Sequence, residues 1–203
     1  MKLYYSPMSP YVRKVRAVAI TLGLADRIEQ VPQDPREPTG AYRAKNPLAR
    51  IPALETDDGE VLFDSPVICE FLAHQAPDQA VYPPAGPDRW RALKQQAVGD
   101  GIMDAAVPLR HETLRPEAQQ SPEWLARLEG MIVSALDALE ADATADRLSD
   151  ASDIGTLSIA CALGYLDFRF AGMDWRNGRL ALAQWFDGFA TRPAIADTLP
   201  AQV

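Results

Sequence analysis

Three Ser-Pro pairs, Ser9-Pro10, Ser65-Pro66 and Ser121-Pro122, stand just ahead of apolar runs of helical period. A serine hydroxyl accepts from a free N–H in the first turn of a helix, and proline is preformed for the first helical position. Each pair therefore predicts a helix start. The first two also follow strand-like segments, where exposed amides and the positive end of a helix make an anion site. Ser-Pro by itself specifies no catalysis.

The elements that must position these pairs divide into two kinds. Up to about residue 77, short apolar strands alternate with helical stretches, the pattern of an α/β unit. Lys2-Leu3-Tyr4-Tyr5 reads as a first strand, and residues 12–22 read as a helix that Gly23 ends. Residues 27–31 are expected to form a second strand, and Ala53-Leu54-Glu55-Thr56 and Val61-Leu62-Phe63 flank a hairpin turn at Asp57-Asp58-Gly59. Residues 66–74 return to helix. The stretch 78–87, with Pro83-Pro84 and Gly86, reads as a linker between a first domain, 1–77, and a second, 88–203. In the second, helical periods cover about 88–114, 122–143, 154–170 and 180–190, the signature of a helical bundle.

Composition narrows the function classes. The longest apolar runs, such as Ala160-Cys161-Ala162-Leu163, are far shorter than the roughly 20 residues that span a bilayer, so no membrane role is expected and a cytoplasmic location is the default. The formal charge is −8, of which −2 falls on residues 1–80 and −6 on 81–203. Nucleic-acid binding, which needs clustered Lys and Arg, is not expected of either half. Cys69 and Cys161 each sit within an apolar run and are expected to be buried free thiols. With only two histidines besides, no metal site is expected.

The segment Ser9-Pro10-Tyr11-Val12 resembles the cysteine-proline-tyrosine-cysteine site of glutaredoxins with both cysteines replaced. A dithiol cycle is excluded there, but a thiol arriving from outside can still be held. The wider resemblance is to the glutathione transferase superfamily, and within it to bacterial enzymes of the serine-using type. It rests on five segments in order: residues 5–14, opening on Tyr5-Ser6-Pro7-Met8-Ser9-Pro10; Asn46-Pro47-Leu48-Ala49-Arg50-Ile51-Pro52-Ala53-Leu54; Phe63-Asp64-Ser65-Pro66-Val67-Ile68; residues 156–167; and Arg192-Pro193-Ala194-Ile195-Ala196-Asp197-Thr198. That resemblance implies a thioredoxin-like N-terminal domain followed by an all-helical C-terminal domain, as a homodimer, with glutathione as co-substrate and no metal.

It also implies roles. Ser9 contacts the glutathione thiolate; Tyr5 is the less favoured alternative, because strand tyrosines are mostly packing residues. Pro52 is a cis proline presenting the Ile51 backbone to the cysteinyl unit, Arg50 reaches the glycyl carboxylate, and Asp64 and Ser65 take the ammonium and carboxylate of the γ-glutamyl unit. Met8, Tyr11, Met103 and Val107 are candidate walls of a pocket for a small hydrophobic electrophile. The activity implied is conjugation; a non-catalytic adaptor and a glutathione-dependent peroxidase or reductase are the alternatives, the last disfavoured because Ser9 offers no thiol for a mixed disulfide. Two departures stand out. Ala49 replaces a glycine, so its backbone is expected to be ordinary. Asp153-Ile154-Gly155-Thr156 exchanges the acid and hydroxyl of a capping box, with Asp153 expected as the cap.

Overall fold

A computed structural model describes residues 1–36, 38–77 and 80–200. The first half is a four-stranded mixed sheet. Strands β1 (Lys2–Tyr5), β2 (Glu29–Pro32), β3 (Ala53–Glu55) and β4 (Val61–Leu62) lie in the order β2-β1-β3-β4, with β1 and β2 parallel and the other pairs antiparallel. Helices α1 (Pro10–Thr21), α2 (Gly40–Lys45) and α3 (Ser65–Gln75) flank it. Leu3 is buried in the core, while Tyr4, on the other face of the strand, packs its ring at a tilt against Tyr42 of α2, centroids 5.2 Å apart. The hairpin forms as expected, with Gly59 at φ 88° in its turn.

Helix α1 begins as its sequence dictates, with the Ser9 hydroxyl accepting from the Val12 N–H at 3.3 Å and proline following. It ends at Gly23, φ 67°, where the N–H groups of Gly23 and Leu24 donate to the carbonyls of Ile20 and Ala19. The second strand lies two residues later than expected at its start, because residues Ala25–Arg27 form a 3₁₀ turn. Helix α2 was not expected; Thr39 caps it by accepting from the Tyr42 N–H.

The second half contains α4 (Pro87–Thr113), α5 (Pro122–Thr144), α6 (Ile154–Arg169), α7 (Leu180–Phe189) and α8 (Pro193–Ala196). Of the stretch read as a linker, Asp78 and Gln79 lie outside the described residues, as do 201–203 of the second domain. Val81, which follows them, is fully buried and its carbonyl accepts from the Ile154 N–H at 2.8 Å, so this stretch is tied to the start of α6. Helix α6 is buried from Ile154 to Leu166 and packs against α4, α1, α7 and α8. Apolar on all sides, it is a central rather than a surface helix. The approach of α4 is close: a Cβ on Gly99 would stand 2.7 Å from the Ser158 backbone. Both cysteines are free and buried, and burial pushes the Cys69 thiol up to about 12 and the Cys161 thiol up to about 11, which makes them inert.

Asp153 caps α6, its carboxylate accepting from the N–H groups of Gly155 at 2.9 Å and Thr156 at 3.0 Å. The Thr156 hydroxyl does not close a reciprocal box. It donates instead to the Ala151 carbonyl at 2.6 Å, tethering the incoming chain.

Ala49 departs from expectation. Its φ is 55°, so the left-handed backbone is kept without glycine, in a turn closed by the Ala49 N–H on the Asn46 carbonyl. Such a residue costs about 1–2 kcal/mol, part of which glycine returns through its freer unfolded chain. Ala49→Gly is expected to stabilise the protein by about 0.5–1 kcal/mol, read as a higher urea midpoint; a lower midpoint contradicts the strain. Asp153→Ala is expected to cost about 0.5–2 kcal/mol in the same measurement, and an unchanged midpoint places the effective cap elsewhere.

Candidate functional site

The strand register brings three chain segments to one end of the sheet. Tyr4 pairs with Ala53 in antiparallel sense, so the exit of β1 lies beside the entry to β3; Leu54 pairs with Leu62, so the exit of β4 lies there too. The start of α1, the Ile51-Pro52 turn and the start of α3 therefore converge.

At the start of α1, the Ser9 oxygen uses one lone pair on the Val12 N–H. Its own proton has no acceptor among the described residues, which leaves a hydrogen-bond donor available at a positive helix end. In the neighbouring turn the Ile51-Pro52 peptide is cis, as expected. The turn is braced from behind, where the Arg50 carbonyl accepts from Tyr42 Oη at 2.6 Å and from Asn46 Nδ2 at 2.8 Å. Among the described residues, neither the Ile51 N–H and C=O nor the exposed Arg50 side chain has a hydrogen-bond or ion-pair partner. This is a short unpaired stretch of backbone next to a free cation.

At α3, Ser65 is not the cap. Asp64 is the N-cap and Ser65 the first helical residue, buried, with Pro66 at the second position. The Asp64 carboxylate makes no capping bond and is exposed. Asp64 and Ser65 thus present a free carboxylate beside free first-turn amides, able to take an ammonium and a carboxylate side by side.

Ser9 itself lines a narrow cleft of about 10 Å³, together with Met8, Arg13, Tyr165 and Phe168. Tyr11 spans the two halves, its hydroxyl donating to Asp104 of α4 at 2.5 Å. Burial first, and then that bond, push its phenol up, so it stays a donor. Val107 is half-buried in the core margin. Met103 is fully buried in the core and offers no surface to a ligand; its apolar spacing with Val107 served packing rather than a wall. A broader cleft, of about 600 Å³, lies away from these helix starts, between α4 and α5.

Two residues that sequence reasoning left as mere neighbours of Ser9 are central to the geometry. Lys14 is fully buried and pairs with Asp100 of α4 at 2.5 Å, while burial raises the Asp100 carboxyl against the pull of Lys14. Arg13 is also buried and donates to the Ile195 carbonyl at 3.1 Å and the Thr198 hydroxyl at 3.4 Å, with its Nη1 unpaired. Charged residues in the second turn of a helix read as a solvated face, and only the docked second half reveals otherwise.

This arrangement has known counterparts. The family models "Glutathione S-transferase, N-terminal domain" and "Glutathione S-transferase, C-terminal domain" match residues 8–75 and 122–188. The chain is 35% identical over 201 residues, 98% of both chains, to the GST-like protein YibF of Escherichia coli. It superposes with a TM-score of 0.93 and 40% identity, covering 99% of each chain, on a glutathione transferase family member of Pseudomonas fluorescens with bound glutathione. A glutathione S-transferase of Methylobacillus flagellatus with glutathione bound gives 0.90 and 30%, over 98% of this chain and 99% of that one. With both domains matched in order and the helix starts, cis proline and acidic-serine pair placed at one edge of a thioredoxin-like sheet, this chain belongs to the glutathione S-transferase family.

Proposed function

We propose that this protein is a serine-type glutathione transferase that binds glutathione across the starts of α1 and α3 and transfers its thiolate to a small electrophile held against the helical half. The observation that carries this reading is the Ser9 hydroxyl, anchored through its oxygen at a helix N-terminus while its proton is unclaimed. Asp64 takes the γ-glutamyl ammonium, Ser65 and its N–H the adjoining carboxylate, the Ile51 backbone the cysteinyl unit and Arg50 the glycyl carboxylate. Met8, Tyr11 and Val107 border the second substrate. Glutathione bound in the Pseudomonas fluorescens and Methylobacillus flagellatus relatives supports the first half of this assignment. The apolar cleft between α4 and α5, with Val98, Met131, Ala135 and Ala138 on its walls, supports association of two copies. A detoxifying role in the cytoplasm fits the same chemistry.

The energetics are sufficient without a general base. A cysteinyl thiol with a pKa of about 8.5 is only a few per cent ionised at pH 7, and the thiolate is the attacking form. Lowering that pKa by about two units needs about 2.7 kcal/mol of preferential stabilisation. A hydrogen bond to a charged acceptor contributes about 1.5–3 kcal/mol and the helix end about 0.3–1 kcal/mol.

Two experiments follow. In Asp64→Ala, loss of one charge-assisted hydrogen bond is expected to weaken glutathione binding by roughly 10- to 150-fold in calorimetry; unchanged affinity in the folded variant removes Asp64 from the site. In Ser9→Ala, with glutathione saturating, the ultraviolet titration of the bound thiolate is expected to move up by about one to two pH units, with turnover at pH 6.5 falling in proportion. Coincident titrations and retained turnover contradict the role of Ser9 and direct attention to Tyr5.

A further inference from the structure

We infer that the second-substrate pocket contains a carboxylate subsite formed by Arg110, Tyr165 and Arg169, so that the electrophile is an organic acid with an apolar body. The inference rests on the glutathione-transfer reading and names the substrate class for it. Tyr165 and Arg169 are one turn apart on α6, and Phe168 lies between them in sequence; the Arg169 guanidinium covers the Phe168 ring at 4.0 Å. Tyr165 and Phe168 both line the cleft that also holds Ser9 and Met8. Arg110 stands one turn beyond Val107 on α4.

The chemistry of this set is one-sided. Other partly buried arginines of the helical half find carboxylates: Arg176 meets Asp167, and Arg179 meets Asp137. Arg110 and Arg169, each partly buried, have no carboxylate partner among the described residues, and the buried Arg13, which lines the cleft, has an unpaired Nη1. Burial raises the Tyr165 phenol while the positive charges of Arg169 and Arg110, and a hydrogen bond from Arg169, pull it the other way, so it stays protonated at neutral pH. Guanidinium and phenol hydrogens give many donors and no acidic acceptor, in a chain whose net charge is −8. The carboxylates of glutathione do not answer this demand, because Arg50 and the start of α3 serve them from the other half. An anionic group on the second substrate does.

The test is calorimetric binding of matched glutathione conjugates: S-(4-carboxybenzyl)glutathione against S-benzylglutathione, and S-(2-carboxyethyl)glutathione against S-propylglutathione, with glutathione itself as reference. The wild-type protein is expected to bind at least one acid about 10-fold more tightly than its neutral partner, a difference within reach of one charge-assisted hydrogen bond. In the Arg110→Gln/Arg169→Gln double variant that preference is expected to fall below about 2-fold, with glutathione affinity unchanged. Wild-type preferences below about 2-fold for both pairs, or a preference that survives in the double variant, overturn the subsite. Should the double variant not fold, raising salt on the wild-type protein serves instead, and must weaken the acid conjugates more than the neutral ones. Glutathione that binds while the pairs tie refutes the subsite alone; glutathione that does not bind refutes the transferase reading and the subsite with it.

Discussion

Everything at the candidate site depends on how helix α1 is clamped between the two halves of the molecule. One side of it packs on α3; the other meets α4, α6 and α8. Lys14 and Arg13 cross that boundary as buried cations, Lys14 to Asp100 and Arg13 to the Ile195 carbonyl and the Thr198 hydroxyl. A buried ion pair gains little over an apolar contact of the same shape, but leaving one member alone is costly. Its effect is therefore on geometry: α1 has one position in which both cations are partnered. Gly164 makes room for this, since a Cβ there would stand 2.2 Å from Arg13 Nη1. Ser9, as the cap of α1, takes its place from the same clamp.

From that constraint follows a division of labour. The thioredoxin-like half supplies backbone and charge in fixed places: free amides at two helix starts, the backbone of Ile51 just before β3, and the exposed Arg50 and Asp64. These suit a flexible peptide with charges at both ends. The helical half contributes an apolar margin around Val107 and Phe168, with Tyr11 fastened to Asp104 across the divide. Ser9 stands where the two meet, which is where a bound thiolate and a second substrate would have to find each other. Buried Cys69 and Cys161 take no part, since burial holds both thiols protonated.

Local signals in the sequence carried most of the fold. Ser9-Pro10 and Ser121-Pro122 cap their helices as serine and proline should, and the hairpin at Asp57-Asp58-Gly59 and the apolar run of α6 appear where periodicity placed them. What failed depended on contacts distant in sequence or on competing local geometry. Helix α2 is only six residues long, too short for a periodic pattern, although Thr39 was a legible cap. At α3 the cap moved back by one residue to Asp64. Ala49 keeps a left-handed backbone because the turn around Asn46 requires it, whatever the side chain. The cis bond at Pro52 and the placement of Ser9 and of Asp64-Ser65 at helix starts were readable through resemblance. Arg13 was not, because its acceptors lie more than 180 residues away.

The most direct test of the account is a crystal structure of the protein with glutathione bound. The sulfur is expected within hydrogen-bonding reach of Ser9 Oγ, the γ-glutamyl group on Asp64 and Ser65, and the cysteinyl backbone paired with Ile51. A sulfur directed away from Ser9, or a γ-glutamyl group that leaves Asp64 and the start of α3 untouched, would contradict it.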